Sequence, residues 1–344
     1  VLAGDKGLED GMDFRTLDRT WIAAEIGVNH EGDEAVAIDL INKAAHAGAD
    51  AVKFQTFEIE HYISTEQPER YQRTKGFQLS RDAFRRLKAA ADAAGGLFFS
   101  TPLSFHDVAF LDEIVPIFKV SSGDLTFLNL IETIAATNKP MIVSTGLGSQ
   151  NEIAAAVDRI LSVRPSARDD GSLMLMHCVS VYPTDANNAN LRNIQWLKDA
   201  FGVPVGYSDH TLGTKACELA VAVGAVALEK HFTYRKEDQA FHDHRLSADP
   251  DDLVALVAMV RQAERHLGNY ERRPLEAEIN NADNMRRSIG TIRDVAQGEV
   301  LSADDLTWLR PAWGLGPDAM DAMVGRSVAR AIPAGHLVRE EDLS

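Results

Sequence analysis

The chain has 344 residues, which exceeds the usual size of one compact core and favours two domains. Hydrophobic residues make up 45% and charged residues 25%, a balance that is too apolar for a disordered chain. The two cysteines exclude a disulfide framework and a cysteine-rich zinc site, and the net charge of −16 argues against nucleic acid as a partner. No apolar run approaches the roughly 20 residues of a membrane helix, so we expect a cytoplasmic protein with no membrane partner.

Strand-like and helix-like segments alternate along most of the chain. Residues 1–20 are polar and acidic, and we interpret them as an N-terminal extension. Short apolar runs then recur, each followed by apolar residues at three- and four-residue spacing. The predicted strands are 21–27, 49–55, 96–102, 116–122, 140–146, 173–179, 204–210 and 225–232. Because eight strand–helix units make a closed barrel, the pattern predicts an α/β fold with a (β/α)8 TIM barrel over 21–267.

An open doubly wound sheet is the alternative interpretation of this alternation. Such folds often carry a glycine-rich dinucleotide turn after the first strand, whereas this chain has Gly27-Val28-Asn29-His30 there. The barrel is therefore favoured. Small polar residues suited to capping free backbone N–H groups predict the helix starts, and they are Asp33, Ser80, Ser104 and Ser149.

The pattern changes in the last quarter of the chain. Residues 268–285 are charged and show no strand-like period, so we predict a linker there. Residues 286–344 contain short strand-like runs punctuated by glycines, which predicts a small β-rich domain.

Polar residues cluster where the predicted barrel strands end, which is the face that carries the active site in barrel enzymes. They are Glu25, Lys53, Gln55, Ser100, Thr101, Lys119, Ser121, Ser122, Ser144, Thr145, His177, Ser208, Asp209, His210, Glu229, Lys230 and His231. Some of them must point outward or cap helices. The set as a whole indicates function, because a barrel interior is otherwise best filled with apolar side chains.

Two histidines suggest half of a metal site. His210 and His231 end consecutive strands, and neighbouring strands lie about 4.8 Å apart, so both imidazoles can reach one ion. Glu25, Asp209 and Asp243 are candidates to complete the coordination or to orient water. Imidazole and oxygen donors without thiolate favour Mn²⁺ or Mg²⁺. The alternative is that each histidine is a hydrogen-bonded core residue.

Two lysines with nearby hydroxyls suggest an anion site. Lys53 and Lys119 supply positive charge, and the serines that accompany them, which can donate hydrogen bonds, are Ser122, Ser144 and Ser208. Such a ring suits a small molecule that carries a phosphate and a carboxylate. Each lysine has two alternative roles, a salt bridge at the barrel rim or a Schiff base with a carbonyl substrate.

The residues at these strand ends resemble those of the sialic acid synthase family. The resemblance is carried by AEIGVNHEGD at 24–33, GADAVKFQTF at 48–57, FFSTPLS at 98–104, FKVSSGD at 118–124, KPMIVSTG at 139–146, VGYSDHTLG at 205–213 and EKHFT at 229–233. Residues 286–344, which include RRSIGTIRDVAQGEVLSADDLTWLRP, are similar to that family's antifreeze-like SAF domain. The motifs span nearly the whole chain.

The resemblance implies an enzyme that condenses phosphoenolpyruvate with an N-acyl sugar aldehyde, such as N-acetylmannosamine, and releases phosphate. It implies metal ligation by His210 and His231, and phosphoenolpyruvate binding by Lys53, Lys119, Ser122, Ser144 and Ser208. It implies catalytic roles for Glu25, Lys53, Lys119 and Asp243, and sugar contacts from Gln55, Tyr182, Asp243 and Arg310. It also implies a domain-swapped homodimer in which Arg310 reaches the partner's active site.

Several positions depart from the family pattern, and they fall on the sugar side. Asp124 replaces a frequent glutamate, Ser180 replaces a frequent asparagine, and FHDH at 241–244 replaces a Gly-Pro-Asp sequence. The sugar therefore stays open among N-acetylmannosamine, its 6-phosphate and the diacetamido sugars that lead to legionaminic or pseudaminic acids. A pyruvate aldolase that uses Lys53, Lys119 or Lys230, and a carbohydrate-binding protein without activity, are the other interpretations.

Overall fold

The computed structural model describes residues 12–237, 241 and 243–344. Eight parallel strands form a closed barrel in chain order. They are β1 (Trp21–Gly27), β2 (Ala51–Thr56), β3 (Leu97–Pro102), β4 (Phe118–Val120), β5 (Met141–Ser144), β6 (Leu173–Cys178), β7 (Val205–Asp209) and β8 (Ala227–His231). The sheet closes because β8 pairs with β1, from Trp21 opposite Ala227 to Glu25 opposite His231. The barrel prediction is confirmed, and the doubly wound sheet is excluded.

Helices surround the barrel and begin where the small polar residues predicted. The helices of the barrel unit are α1 (Glu34–Ala47), α2 (Pro68–Phe77), α3 (Arg81–Ala93), α4 (Phe105–Asp112), α5 (Leu128–Ala135), α6 (Gln150–Val163), α7 (Asn193–Phe201), α8 (Lys215–Ala222), α9 (Asp243–Leu246) and α10 (Pro250–Leu267). The side chains of Asp33, Ser80, Ser104 and Ser149 accept hydrogen bonds from free N–H groups in the first turns of α1, α3, α4 and α6. None of the described helices combines the length and the apolar character that a bilayer crossing requires.

Strand alternation divides the barrel unit into two apolar layers. Outward strand residues pack against the helices in the larger core. Inward residues, including Phe99, Ile142 and Met174, fill the half of the barrel where the strands begin. Phe14, which lies within the predicted N-terminal extension, is 1% exposed and joins this inner layer. The opposite half of the interior is left for the polar residues that end the strands.

The chain separates into two compact units between Gly268 and Asn269. Within the predicted linker, α11 spans Glu276–Met285. The second unit then contains a two-stranded antiparallel sheet, formed by β9 (Ser288–Thr291) and β10 (Leu306–Leu309), and the short helix α12 (Met320–Met323). Its own small core buries residues such as Ile289, Val295 and Val338.

Candidate active site

The inward positions at the carboxyl ends of the strands form one polar cavity of about 430 Å³. Alternation continues from the apolar inner layer, so that Ala23 is followed on the same face by Glu25, and Ala51 by Lys53. The predicted site residues that line this cavity are Glu25, Lys53, Gln55, Lys119, Ser122, Ser144, Tyr182, Ser208, His210, His231 and Asp243. The structure thus brings these predicted residues of the first unit together. It does not bring Asp209 to them: this candidate for the metal coordination is an outward strand residue whose Oδ2 lies 2.8 Å from the Lys230 ammonium.

Arg310, the remaining predicted site residue, does not belong to the barrel unit. It follows β10 in the second unit, where its side chain is exposed. Of the FHDH stretch, His242 lies outside the described residues, whereas Asp243 begins α9 and is 8% exposed.

Four buried charges occupy the centre of the cavity. The Lys53 ammonium lies 2.9 Å from Glu25 Oε2 and 3.7 Å from Glu229 Oε1, and the Lys119 ammonium lies 3.4 Å from Glu229 Oε2. The hydroxyl of Ser208 donates a hydrogen bond to Glu229 Oε1 at 3.0 Å. Each of the four charged residues is at most 5% exposed, so the charges depend on one another for compensation. Two cations and two carboxylates therefore alternate across the barrel mouth.

The pKa values of the two carboxyl groups are shifted in opposite directions. Burial, and then the charge of Glu229, raises the pKa of Glu25, and these effects exceed the opposing effect of Lys53. Burial also acts to raise the pKa of Glu229, but Lys119 and Lys53 outweigh it and lower that pKa to about 2. Two carboxyl groups whose environments separate their pKa values are suited to different roles in one reaction, with Glu229 ionised and Glu25 able to exchange a proton.

The two lysines also differ. Burial acts to lower the pKa of Lys53, but Glu229 and Glu25 outweigh it, so the pKa is raised and the ammonium stays protonated. Burial lowers the pKa of Lys119, which has one carboxylate, that of Glu229, within ion-pair distance among the described residues. Lys53 is therefore a permanent cation, and Lys119 is the more readily deprotonated of the two.

Serine hydroxyls extend the polar surface beside the lysines. Ser144 is 2% exposed, and its Oγ has no hydrogen-bond partner among the described residues. Ser122 Oγ accepts a hydrogen bond from the backbone N–H of Gly146 at 3.1 Å. A Cβ atom at Gly146 would lie 2.7 Å from Ser122 Oγ and closer still to Ser180 Oγ, so a larger residue there would displace these hydroxyls. A buried hydroxyl without a partner is suited to donate to an anionic ligand.

The two predicted metal ligands face each other across the cavity. The rings of His210 and His231 have their centroids 5.3 Å apart, and the ring of Tyr182 lies 4.0 Å from that of His210. His210 Nδ1 donates to the carbonyl of Val179 at 2.8 Å, which leaves a lone pair on Nε2. Burial, and then the charge of His210, lowers the pKa of His231 well below its usual range, so this ring is neutral.

The histidine pair provides part of a coordination sphere. Within the described parts of the chain, no three or more His, Cys, Asp or Glu side chains are grouped to hold a metal ion between them. Asp243 Oδ2 lies 3.9 Å from His231 Nδ1, a separation that two ligands of one ion can have. Burial acts to lower the pKa of His210, but the contact with Cys178 outweighs it and raises that pKa, so a metal ion would bind this ring in place of a proton. With both rings neutral, two imidazole nitrogens fit a divalent ion that takes its other ligands as oxygen atoms.

The sequence analysis missed some of the side chains that line the cavity. Glu229 was assigned no role, although strand alternation places it inward with Lys53 and Lys119. Cys178, at the end of β6, also lines the cavity, and its Sγ lies 3.8 Å from His210 Nδ1. The same alternation places Cys178 inward, so both residues could have been predicted from the strand pattern.

Helix α2 also contributes to the cavity, through Arg70, Arg73, Thr74 and Phe77. These residues precede the third strand and lie outside every strand end, so no barrel rule pointed to them. Beside them, a small apolar cluster is formed by Val28, Phe57 and Leu103. The outer part of the cavity thus combines positive charge with an apolar wall.

Comparisons with known proteins identify the family of the chain. The model of the NeuB family matches residues 40–272, and the model of the SAF domain matches residues 286–344. The chain is 36% identical to N,N'-diacetyllegionaminic acid synthase of Legionella pneumophila, over 92% of both chains. It is 31% identical to human N-acetylneuraminate-9-phosphate synthase, over 93% of this chain and 92% of the relative.

A solved structure shows the same likeness. The structure of N-acetylneuraminic acid (sialic acid) synthetase from Leptospira borgpetersenii in complex with citrate superposes with a TM-score of 0.72. It is 35% identical in sequence, and the match covers 77% of this chain and 90% of that chain. The chain therefore belongs to the NeuB family of sialic acid synthase-type enzymes, which condense phosphoenolpyruvate with a sugar, and it carries a C-terminal SAF domain.

Proposed function

We propose that the enzyme joins phosphoenolpyruvate to the open-chain aldehyde of an N-acyl mannosamine-type sugar, giving a nine-carbon 2-keto acid and phosphate. The observation that carries this proposal is the alternating ring of Glu25, Lys53, Glu229 and Lys119 beside the His210–His231 pair. The ring supplies fixed cations for an anionic substrate, and the histidines supply donors for a divalent ion, Mn²⁺ or Mg²⁺.

Phosphoenolpyruvate would lie against the lysines and the serine hydroxyls. Lys53 and Lys119 offset the charge of its carboxylate and phosphate, and the donors beside them are Ser122, Ser144 and Ser208. The Ser144 hydroxyl supports this placement, since it has no hydrogen-bond partner among the described residues and would gain one from a bound anion. Both lysines are buried, so their interaction with an anion is weakly screened by water.

The reaction then requires a proton acceptor and charge stabilisation. Carbon 3 of phosphoenolpyruvate attacks the aldehyde carbon, water adds to carbon 2, and the tetrahedral intermediate loses phosphate as the C–O bond breaks. When bound, a divalent ion would polarise the aldehyde carbonyl and stabilise the developing alkoxide. Glu25, whose pKa burial raises, handles the proton of the attacking water, while ionised Glu229 holds both lysines in place.

The sugar would occupy the outer part of the cavity. Gln55, Tyr182 and Asp243 line the cavity, and we expect them to contact the hydroxyls of the sugar. A diacetamido trideoxyhexose is the second candidate substrate. It is supported by the apolar cluster of Val28, Phe57 and Leu103, which suits a deoxy methyl group better than a hydroxyl or a phosphate.

The aldolase interpretation has less support from the lysine environments. Lys230 points away from the cavity, where its ammonium lies 2.8 Å from Asp209 Oδ2. Lys53 is held as a cation by two carboxylates, so it is a poor nucleophile. Lys119, with its lowered pKa, is the lysine on which borohydride trapping with pyruvate tests this alternative.

We further propose a cytoplasmic homodimer in which Arg310 of one subunit completes the site of the other. The support is that the side chain of Arg310 is exposed on the second unit. A guanidinium donates directional hydrogen bonds and would suit the carbonyl of the N-acyl group.

Phosphate release from a sugar panel tests the proposed function. The metal-depleted enzyme is supplied with Mn²⁺, phosphoenolpyruvate and N-acetylmannosamine, its 6-phosphate or 2,4-diacetamido-2,4,6-trideoxymannose. We expect phosphate release with at least one sugar only when the metal is present. Metal-independent turnover, or pyruvate trapped on Lys119 by borohydride, would reject the proposal.

A further inference from the structure

An ion pair lies directly behind the two histidines, on the outer side of the barrel wall. The ammonium of Lys230 is 2.8 Å from Asp209 Oδ2, and the two side chains are 1% and 0% exposed. Asp209 and Lys230 are opposite each other in the pairing of β7 with β8, and theirs is the last pair of that ladder. His210 and His231 are the next residues of the two strands.

The same pair also holds the turn that follows His210. The Lys230 ammonium donates to the carbonyl of Thr211 at 2.6 Å. Asp209 Oδ1 accepts hydrogen bonds from the backbone N–H of Thr211 at 2.8 Å and from the hydroxyl of Tyr207 at 3.0 Å. The residues on both sides of His210 are therefore tied to one point on β8.

Stability alone does not explain two charges at this place. The outward neighbours of Lys230, which are Leu228 of β8 and Phe232 directly after the strand, are apolar and fully buried. Replacing a buried ion pair by apolar residues of similar volume is often neutral or stabilising. A charged pair differs from apolar packing because its hydrogen bonds are directional, and each of them fixes an atom in a defined position.

We propose that Asp209 and Lys230 are positioning residues that set the separation and orientation of His210 and His231, and so the affinity of this pair for a divalent ion. The inference rests on the proposed function, which makes the two histidines the metal ligands. The ion pair acts through the backbone: it joins the strands at their last rung and holds the turn from Asp209 to Thr211 against β8.

The experiment measures Mn²⁺ binding by the full-length chain, from the electron paramagnetic resonance signal of free Mn²⁺. The test variant, Asp209→Asn with Lys230→Met, removes both charges together and leaves no unpaired buried charge. Its thermal unfolding is recorded in parallel. We expect a melting temperature close to that of the wild type and a loss of Mn²⁺ affinity of about 10- to 100-fold, the range typical of residues that orient metal ligands.

A second variant separates positioning from general packing. Asp209→Asn with Lys230→Gln has the same charge but retains an N–H donor near the Thr211 carbonyl, so it should recover part of the Mn²⁺ affinity. The matched control is Asp50→Asn with Arg261→Met. Asp50 pairs with Arg261 at 3.3 Å and accepts from Ile22 N–H at 2.8 Å, but at the opposite end of the barrel. This control should leave Mn²⁺ affinity unchanged.

The outcomes distinguish the two proposals. Wild-type affinity in both Asp209/Lys230 variants, with wild-type Mn²⁺ binding established, would overturn the positioning role alone. An equal loss in the Asp50/Arg261 control would also overturn it, because the effect would then be one of general stability. Absence of Mn²⁺ binding by the wild type, or its persistence in His210→Ala, would overturn the metal part of the proposed function and the positioning role with it.

Discussion

The Lys53 ammonium lies 2.9 Å from the Glu25 carboxylate, yet the pKa of Glu25 is raised rather than lowered. Burial, and then the charge of Glu229, exceeds the attraction of this lysine. Glu229, by contrast, is held ionised by Lys119 and Lys53, with a pKa of about 2. The two carboxyl groups should therefore give opposite signatures in the pH dependence of stability.

The prediction compares Glu229→Gln with Glu25→Gln. A carboxyl group whose folded pKa is depressed contributes stability that is present above its unfolded pKa, 4.5, and is lost as the pH falls toward 2. The stability difference between wild type and Glu229→Gln should therefore shrink below pH 4.5. Glu25, whose folded pKa is raised, contributes stability that is lost as the pH rises above 4.5, so its difference should shrink in that direction. Urea unfolding from pH 3 to 8 measures both, and equal slopes would contradict the assignment.

Lys53→Met and Lys119→Met should each raise the KM for phosphoenolpyruvate by roughly 10-fold or more, since each removes a buried cation that faces an anionic substrate. The KM for the sugar should change much less. Steady-state phosphate release with each substrate varied in turn provides the measurement. A rise in the sugar KM with no change for phosphoenolpyruvate would place the anion elsewhere.

Ser144→Ala should weaken phosphoenolpyruvate binding while leaving the stability of the chain unchanged or slightly higher. The Ser144 hydroxyl has no hydrogen-bond partner among the described residues, so its removal costs no contact within the protein. The expected loss is about 0.5–1.5 kcal/mol of binding free energy, the usual contribution of one hydrogen bond. Ser208→Ala is the matched comparison, because Ser208 donates to Glu229 and its loss should also destabilise the fold. Lower stability of Ser144→Ala would argue that the hydroxyl serves the fold.

His210→Ala and His231→Ala should reduce turnover by roughly 100-fold or more, because each removes a donor to the ion. Excess Mn²⁺ should restore little. The control is His177→Ala: His177 points outward from β6, and its Nε2 hydrogen-bonds to the carbonyl of Ala189 at 2.7 Å. That variant should lose stability but keep its metal dependence. Near-wild-type turnover of either active-site variant after chelator treatment would contradict the shared site.

Arg310→Ala should mainly raise the KM for the sugar, with phosphoenolpyruvate binding less affected. Mixing Arg310→Ala subunits with His210→Ala subunits tests whether sites are shared. In a mixed dimer with shared sites, one site carries both changes and the other carries neither, so activity should return after subunit exchange. Heterodimers that form without recovering activity would reject the cross-subunit arrangement and leave the condensation chemistry intact.

Strand alternation explains how far the site could be predicted from the sequence. Each barrel strand reads apolar at its start and polar at its end on the same inward face, so Glu25, Lys53 and Ser144 could be found from spacing alone. The same rule places Glu229 inward and Lys230 outward, so Lys230, one of the three lysines of the aldolase interpretation, is turned away from the cavity. The opposite proton affinities of Glu25 and Glu229 depend on which carboxylate lies between two lysines, and that requires coordinates.

The N-terminal extension and helix α2 were harder to predict, because neither follows a strand period. Phe14 reaches the inner layer of the barrel from within a segment that reads as polar and acidic. Arg70 and Arg73 reach the cavity from a helix inserted between β2 and α3, and the reach of an inserted segment is set by its path in space. Sequence spacing does not encode that path.

Helix α2 buries none of its residues, yet four of them form part of the cavity wall. Apart from Phe77, which packs against the apolar cluster of Val28, Phe57 and Leu103, these side chains can be exchanged at little cost to folding. The four buried charged residues at the strand ends cannot be exchanged in this way, because each of them offsets the charge of another. Related enzymes should therefore differ more in the part of the cavity lined by α2 than at the four buried charges. Changes at Arg70, Arg73 or Thr74 would then alter which sugar is accepted, while the bond-forming step stays the same.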